Sequence, residues 1–231
     1  VCPRMGYSSQ DKKHRGREPI SCRLVFDLLK TAGADRIMSV DLHAAQSQGF
    51  FDGPVDHLIA MPVLVDYIRD RFSNQLDNVA VVSPDAGRIR VAEQWAQRLG
   101  GGPLAFVHKT RDITRPNQAV ANRVVGDVAG KDCVLVDDLI DTAGTIAGAC
   151  NVLKDAGAKS VTVVATHGVL SGPAVDRLKN CGAREVVLTD TVPIPEEKRW
   201  DGLTVLSIAP LLASAIRAVF EDASVAELFN T

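Results

Sequence analysis

The stretch VLVDDLIDTAGT, Val134 to Thr145, decides the fold class of this chain. An apolar, β-branched run leads directly into two carboxylates and a loop of small residues, and a helix is predicted to begin at Ile146. In an open α/β sheet, ligands bind beyond the carboxyl ends of the strands, where helix N-termini present free backbone N–H groups to anions. The stretch therefore predicts a ligand site between a buried strand and a helix.

The residue types in this stretch suit a sugar phosphate. The loop Asp141 to Thr145 combines a glycine, which permits close backbone approach, with two threonine hydroxyls that can donate hydrogen bonds. Asp137 and Asp138 are placed to hold sugar hydroxyls, directly or through a metal. The structural alternative is a buried strand followed by an N-capping aspartate, but a cap needs one such residue and this stretch has three. A ribose that carries a phosphate would bind to both the loop and the two carboxylates.

Outside this stretch, apolar strand-like segments alternate with amphipathic helical ones such as PISCRLVFDLLKTAGA and RIRVAEQWAQRLGG. This alternation predicts an α/β fold with mostly parallel sheets and helices on both faces. The predicted strands are RIMSVDLH (36–43), NVAVVSPD (78–85), PLAFVHK (103–109), DCVLVDD (132–138), SVTVVATH (160–167), EVVLTD (185–190) and LTVLSI (203–208).

Composition excludes several classes of protein. The 231 residues carry a formal net charge of -2, which favours neither nucleic acid nor an acidic membrane surface as a partner. The five cysteines are widely spaced and form no C-x-x-C pair, so neither a disulfide framework nor a zinc site is expected, and a cytoplasmic location fits best. No apolar run approaches the roughly 20 residues of a membrane helix.

Two segments interrupt the α/β rhythm. Thr110 to Arg123 is polar, contains a proline and has neither helical nor strand periodicity, which predicts a mobile loop. Lys109 and Arg111 lie at the root of this loop. A domain boundary is expected near FFDGPVDH, which separates the first αβ unit from the longer series beginning at Met61.

Several motifs in order carry a family resemblance. VLVDDLIDTAGT resembles the motif that binds 5-phosphoribosyl 1-diphosphate (PRPP) in type I phosphoribosyltransferases and in PRPP synthetases. SSQDKKHRGREPIS (8–21) and SVDLHAAQSQGFFDGPVDH (39–57) are similar to PRPP synthetase segments and foreign to the transferases. SPDAG (83–87), HKTR (108–111), GDVAGK (126–131) and the C-terminal SIAPLLASAIRAVFEDASVAELF extend the similarity over essentially the whole chain. The resemblance is thus to the ribose-phosphate diphosphokinases.

The resemblance implies roles for particular residues, with Mg²⁺ as the cofactor. The implied ribose 5-phosphate ligands are Asp137, Asp138, Asp141, Thr142, Ala143, Gly144 and Thr145. The implied ATP ligands are Ser9, Gln10, Asp11 and His43, and the implied metal ligands are His43 and Asp85. The implied catalytic pair is Lys109 and Arg111. Taken alone, His43 is more typical of a structural histidine, and Lys109 with Arg111 of solvated charge. Asp85, at the end of a strand, favours a cation ligand over a turn-forming aspartate.

The sequence departs from the family pattern at two positions, one of which, Ser9, is an implied ATP ligand. Ser9 stands where the family usually has an ATP-contacting arginine, and Arg88 stands where many relatives have a second glycine. The family's N-terminal domain also normally begins well upstream, so residues 1–57 are interpreted as the remainder of an ATP-side domain onto which 209–231 packs. Residues 58–208 are interpreted as a type I phosphoribosyltransferase-like domain, the second of two tandem similar domains of which the first is incomplete.

The implied reaction transfers the diphosphate of ATP to the C1 hydroxyl of ribose 5-phosphate, giving PRPP and AMP for nucleotide biosynthesis. The resemblance also implies homo-oligomers, commonly hexamers, with phosphate and nucleotide effectors. Two alternatives stay open from the sequence: a non-catalytic regulatory subunit or degraded copy, suggested by Ser9, and a phosphoribosyltransferase that consumes PRPP.

Overall fold

The structure is a computed structural model that describes residues 1–13, 15–110 and 121–226. Within these residues the helices are α1 (Ser21–Thr31), α2 (Met61–Arg71), α3 (Ile89–Arg98), α4 (Gly144–Asp155), α5 (Ala174–Asn180) and α6 (Ala209–Phe220). The strands are β1 (Ile37–Val40), β2 (Val55–Leu58), β3 (Val79–Ser83), β4 (Leu104–Thr110), β5 (Ala121–Val125), β6 (Asp132–Ile140), β7 (Ser160–Gly168), β8 (Glu185–Thr189) and β9 (Leu203–Leu206). A search of the described helices found none with the length and apolarity to span a membrane.

The chain forms two compact units. The first contains Val1–Pro62 together with Ser207–Thr231, and the second contains Val63–Leu206. The first unit has a two-stranded parallel sheet in which β1 pairs with β2 from Ile37↔Val55 to Val40↔Leu58. Its core forms where Phe26 of α1 packs with Phe51 and Met5.

The second unit is built on a seven-stranded sheet in the order β5-β4-β3-β6-β7-β8-β9. All its pairings are parallel except the one between β4 and β5. The connection from β3 through α3 leads to β4 on one side, whereas the connection from β6 through α4 leads to β7 on the other. Because right-handed crossovers in opposite directions place their helices on opposite faces, α3 and α4 cover the two faces of the sheet. The α/β class with a mostly parallel sheet is confirmed.

Burial explains why these strands read as continuous apolar runs. Every residue of β3 and β8, and the first five residues of β6, are buried, as expected for strands covered on both faces. Alternate residues of β3, β6, β7 and β8 pack in one cluster with α4 and α5, including Leu135, Val163, Ile146 and Leu178. The five cysteines are free thiols.

Three sequence-based expectations need correction. The loop predicted from Thr110 to Arg123 is wrong at both ends, because Thr110 ends β4 and β5 begins at Ala121; residues 111–120 lie outside the described residues. Antiparallel pairing with β4, from Phe106↔Val125 to Thr110↔Ala121, supplies backbone partners that override the polar character of β5. Strand β2 was not predicted, and α4 begins at Gly144, two residues before the expected start.

Candidate functional site

The crevice at the topological switch point lies between β3 and β6. These strands pair in parallel from Val79↔Asp132 to Val82↔Leu135, so their carboxyl ends lie side by side. From this point the chain proceeds through α3 in one direction and through α4 in the other, which leaves room above the strand ends. Open α/β sheets bind ligands at such positions. The predicted sugar-phosphate residues follow β6, and Asp85 follows β3.

A polar concavity of about 170 Å³ lies where β6 joins α4. Its lining residues are Asp137, Leu139, Ile140, Asp141, Thr142, Ala143, Gly144, Thr145 and Ile146. Ala143, with φ 59°, is the N-cap of α4 and has no side-chain oxygen to cap the helix. The Ala143 side chain therefore does not cap α4, and the helix dipole favours negative charge at this N-terminus. Thr142, Gly144 and Thr145 are exposed on this surface.

Arg177 of α5 holds in place the loop Asp141 to Thr145, which we call the cradle loop. Its Nη1 donates a hydrogen bond to the Thr142 carbonyl oxygen at 2.9 Å. The same nitrogen lies 3.4 Å from the position that a Cβ at Gly144 would take. Arg177 therefore adds positive charge beside the N-terminus of α4, where a phosphate would bind.

The acidic pair at the end of β6 has an arginine partner. Arg88 Nη2 lies 2.6 Å from Asp138 Oδ2, and Arg88 Nε lies 3.8 Å from Asp137 Oδ1. The Asp138 backbone N–H also donates to Asp137 Oδ1 at 2.9 Å. Burial, and after it the neighbouring charge of Asp138, raises the pKa of Asp137 to about 8, while Arg88 acts in the opposite direction. At neutral pH the pair therefore carries less than two negative charges, and it offers acceptor oxygens to a ligand with donors or to a cation.

The turn after β3 is fixed by its own hydrogen bonds. Asp85 Oδ1 accepts from the Gly87 backbone N–H at 2.8 Å, and Ser83 Oγ donates to the Asp85 carbonyl at 2.6 Å. Asp85 thereby caps a short 3-10 turn, Ala86–Arg88, that leads into α3. This turn brings the Arg88 side chain to the acidic pair at the carboxyl end of β6.

In the first unit, the loop after β1 positions His43. Asp41 adopts a left-handed φ of 41°; its Oδ2 accepts from the Ala60 N–H at 3.2 Å. His57 Nε2 accepts from the Leu42 N–H at 2.9 Å, and burial lowers the pKa of His57. A neutral His57 is required for this acceptor role. His43 is exposed at the end of this ordered loop.

The other predicted ATP residues lie in the N-terminal segment of the first unit. Ser9 and Gln10 are exposed, whereas Asp11 is buried and its Oδ2 accepts from Gln46 Nε2 at 3.3 Å. Asp11 therefore has a structural contact that the sequence did not indicate.

The predicted catalytic pair is described only in part. Arg111 lies outside the described residues, and only the backbone of Lys109 is described. Ser83 at the end of β3 pairs with Phe106 of β4, so Lys109 lies three residues farther along, on the carboxyl side of the sheet. This is the side on which the switch-point crevice opens.

Comparisons with known proteins agree over the whole chain. A family model described as the phosphoribosyl synthetase-associated domain matches residues 106–230, and one described as the N-terminal domain of ribose phosphate pyrophosphokinase matches residues 1–33. The chain is 95% identical over 231 residues to a ribose-phosphate pyrophosphokinase of Bifidobacterium longum (strain NCC 2705), covering 100% of this chain and 68% of that protein. The chain belongs to the ribose-phosphate pyrophosphokinase family.

More distant members of the ribose-phosphate pyrophosphokinase family support the same assignment. The protein of Mycobacterium tuberculosis (strain H37Rv) is 65% identical over 230 residues, which cover 100% of this chain and 70% of that protein. The crystal structure of phosphoribosylpyrophosphate synthetase from Mycobacterium smegmatis has 64% sequence identity and a TM-score of 0.89, and the match covers 96% of this chain and 70% of that one. The resemblance to PRPP synthetases drawn from the motifs is confirmed.

Two residues of this family member's site were not predicted from its sequence. Arg177 gave no signal, because an exposed arginine on a short helix is unremarkable until the fold brings it to the Thr142 carbonyl. Arg88 was noted as a departure from the family pattern, but its contact with Asp138 depends on the pairing of β3 with β6.

The conformation of Ala143 yields a prediction for the cradle. Ala143→Val is expected to lower the free energy of unfolding by about 2 kcal/mol and to weaken ribose 5-phosphate binding, because a β-branched residue is strained at φ 59°. Urea denaturation and calorimetric titration measure the two effects. Ala143→Gly is the matched control, since glycine adopts this φ freely and should keep the affinity. Equal stability and affinity in the valine variant would contradict the prediction.

The raised pKa of Asp137 predicts how stability depends on pH. The folded pKa of about 8 exceeds the unfolded value of ~3.9, so the contribution of this group is fully present below the unfolded pKa and is lost as pH rises through the folded pKa. Asp137→Asn removes this titration. The Tm of the variant minus that of the parent chain is therefore expected to increase between about pH 4 and pH 8 and then to level off. Thermal unfolding across this range checks the prediction, and a constant difference would refute it.

Proposed function

We propose that this chain is a ribose-phosphate diphosphokinase that transfers the diphosphate of ATP to the C1 hydroxyl of ribose 5-phosphate, giving PRPP and AMP. The observation that carries the proposal is the position of an uncapped helix N-terminus and an acidic pair at one switch point in a member of this family. The N–H donors of the helix N-terminus match the phosphate of ribose 5-phosphate. The carboxylate acceptors of the acidic pair match its hydroxyls.

The spacing of these groups suits the substrate. Asp138 and Asp141 are three residues apart where the strand passes into the loop, which spans roughly 10 Å. A pentose with a phosphate on its terminal carbon bridges such a distance. In this arrangement Asp137 and Asp138 accept hydrogen bonds from the ribose hydroxyls, and Asp141, Thr142, Ala143, Gly144 and Thr145 surround the 5-phosphate. The C1 hydroxyl is then directed away from the cradle.

The diphosphate side of the reaction is assigned to the turn after β3 and to the root of the 110–123 segment. The C1 oxygen forms a bond to the β-phosphorus of ATP as the bond from that phosphorus to the α,β-bridging oxygen breaks, AMP leaves, and the hydroxyl proton is lost to water. Lys109 and Arg111 are proposed to neutralise charge on the transferred phosphates, which is the main demand of phosphoryl transfer. No covalent nucleophile is needed.

The carboxylate of Asp85, on the turn after β3, is a donor that fits Mg²⁺. Mg²⁺ takes oxygen ligands, keeps several waters, and is usually held by one or two carboxylates together with substrate phosphates. Asp85 offers such a carboxylate on a fixed turn, and His43 is the second proposed ligand, also proposed to contact ATP. No group of three or more His, Cys, Asp or Glu side chains suited to a metal occurs among the described residues, which is compatible with an ion that binds with its substrate. Bound Mg²⁺ would neutralise phosphate charge.

The remaining features of the proposal follow the family resemblance. Ser9, Gln10 and Asp11 are proposed to contact ATP. Residues 1–57 with 209–231 are proposed as the ATP-side domain and 58–208 as the ribose-phosphate domain, a division that the two compact units support. We also propose that the chain forms homo-oligomers, and the exposed Leu24, Leu28 and Phe220 support self-association. Phosphate and nucleotides are proposed as effectors. A cytoplasmic location is proposed as well, and the free thiols support it.

Product analysis tests the proposal. The chain is incubated with ATP, ribose 5-phosphate and Mg²⁺, and the products are identified by ³¹P NMR and chromatography. Equal amounts of AMP and PRPP are expected, and a variant carrying both Lys109→Ala and Arg111→Ala should lose them. Ribose 5-phosphate binding without turnover would instead indicate a regulatory or degraded copy. Release of pyrophosphate from PRPP only when a nucleobase is added would indicate a phosphoribosyltransferase.

A further inference from the structure

Arg88 connects the two sides of the switch-point crevice. It precedes α3 as the N-cap residue and lies on the turn that Asp85 and Ser83 hold in place. From there its guanidinium reaches Asp138 Oδ2 at 2.6 Å, with Asp137 Oδ1 at 3.8 Å from Nε. The contact joins the turn after β3 to β6, between residues that are 50 positions apart in the sequence.

This contact is not a solvent-screened surface ion pair. The Arg88, Asp137 and Asp138 side chains are only 18%, 15% and 11% exposed. Exposed ion pairs contribute little and keep no fixed geometry, whereas a partly buried guanidinium–carboxylate contact fixes both side chains. The Asp138 carboxylate is therefore held by a donor that itself stands on a hydrogen-bonded turn.

Fixing these carboxylates has a consequence for ligand binding. A carboxylate at this position without a partner would turn toward water. With one oxygen of Asp138 held by Arg88, the acceptor directions of the pair are set before a sugar arrives, which reduces the ordering cost of binding. Arginine suits this role because its planar fork can face two carboxylates at once.

We propose that Arg88 is a positioning residue for ribose 5-phosphate, which orients the Asp137–Asp138 pair toward the sugar hydroxyls. The inference rests on the proposed function and adds a determinant of sugar-phosphate affinity at a position where many relatives carry glycine. A purely structural ion pair would affect stability without affecting affinity. If Arg88 instead blocked the acidic pair, it would weaken ribose 5-phosphate binding, and removing Arg88 would lower the Kd.

Calorimetric titration of ribose 5-phosphate without ATP tests the proposal on the full chain. Arg88→Gln is expected to raise the Kd about tenfold or more, because a charge-assisted hydrogen bond is lost. Arg88→Lys keeps the charge without the fork and should raise the Kd less. Arg90→Gln is the matched control, since Arg90 is exposed two residues farther along, and its Kd should equal that of the parent chain. In steady-state assays Arg88→Gln should raise KM for ribose 5-phosphate and change kcat by less than about threefold.

The outcomes separate this inference from the proposed function. Failure of the parent chain to bind ribose 5-phosphate would refute the proposed function itself. Binding by the parent chain with an unchanged or lower Kd in folded Arg88→Gln would overturn the role of Arg88 alone. If circular dichroism shows that Arg88→Gln does not fold, the Kd of Arg88→Lys for ribose 5-phosphate is measured instead. A Kd equal to that of the parent chain would overturn the proposal. Unfolding of both variants would do so too, in favour of a structural ion pair.

Discussion

Lys109→Ala is expected to lower kcat about a thousandfold, as loss of a group that stabilises transition-state charge commonly does. Lys109 is the penultimate residue of β4 and extends beyond the end of β3, on the carboxyl side of the sheet where Asp85 and Asp138 lie. The transferred diphosphate carries several negative charges, and the proposed mechanism supplies no covalent intermediate to lower the barrier. Positioned cations must therefore provide most of the stabilisation.

Initial rates of AMP formation measure this effect. KM for ribose 5-phosphate should change little, because the cradle and the acidic pair belong to the β6–α4 connection. Lys179→Ala is the matched control, since Lys179 is an exposed lysine near the end of α5. A kcat within about threefold of the parent value for Lys109→Ala would remove Lys109 from the mechanism.

Asp138→Asn is expected to reduce kcat/KM for ribose 5-phosphate about a hundredfold. The change keeps the shape of the side chain but removes the negative charge 2.6 Å from the largely buried Arg88 guanidinium. Leaving one partner of a buried ion pair uncompensated costs about 3 to 5 kcal/mol, and the variant also loses a carboxylate acceptor for the sugar. Affinity for ribose 5-phosphate should thus fall together with stability.

The comparison with Asp127→Asn isolates the role of the site. Asp127 is 73% exposed and pairs with Lys131 across a 3.7 Å surface contact, so its neutralisation should leave the kinetics unchanged. KM for ATP in Asp138→Asn should remain within about threefold of the parent value. Equal kcat/KM for ribose 5-phosphate in both variants would show that Asp138 does not contact this substrate.

Much of the fold follows from the sequence because its central strands are covered on both faces. The strands β3, β6, β7 and β8 each contain a continuous apolar run of three or more residues, which is the pattern of buried parallel strands. Strand β5 escaped prediction because it pairs antiparallel at the edge of the sheet, where polar residues are tolerated. Edge pairing is a tertiary property that local pattern does not encode.

The sequence groups those residues of the candidate site that are contiguous along the chain, and it does not indicate those that are distant in sequence. Asp137 to Thr145 form one strand–loop–helix connection, so their proximity follows from local structure alone. Arg88 and Arg177 join them only through the pairing of β3 with β6 and the packing of α5 near α4. The left-handed conformation of Ala143 was also hidden, since alanine does not favour a positive φ.

A crystal structure of the chain with ribose 5-phosphate and Mg²⁺ would show where the sugar phosphate binds. The 5-phosphate is expected to accept hydrogen bonds from backbone N–H groups within Asp141 to Thr145, and the ribose hydroxyls are expected to donate to Asp137 and Asp138 with Arg88 still against Asp138. Ribose 5-phosphate bound elsewhere, with the β6–α4 loop empty at saturating ligand, would contradict this expectation.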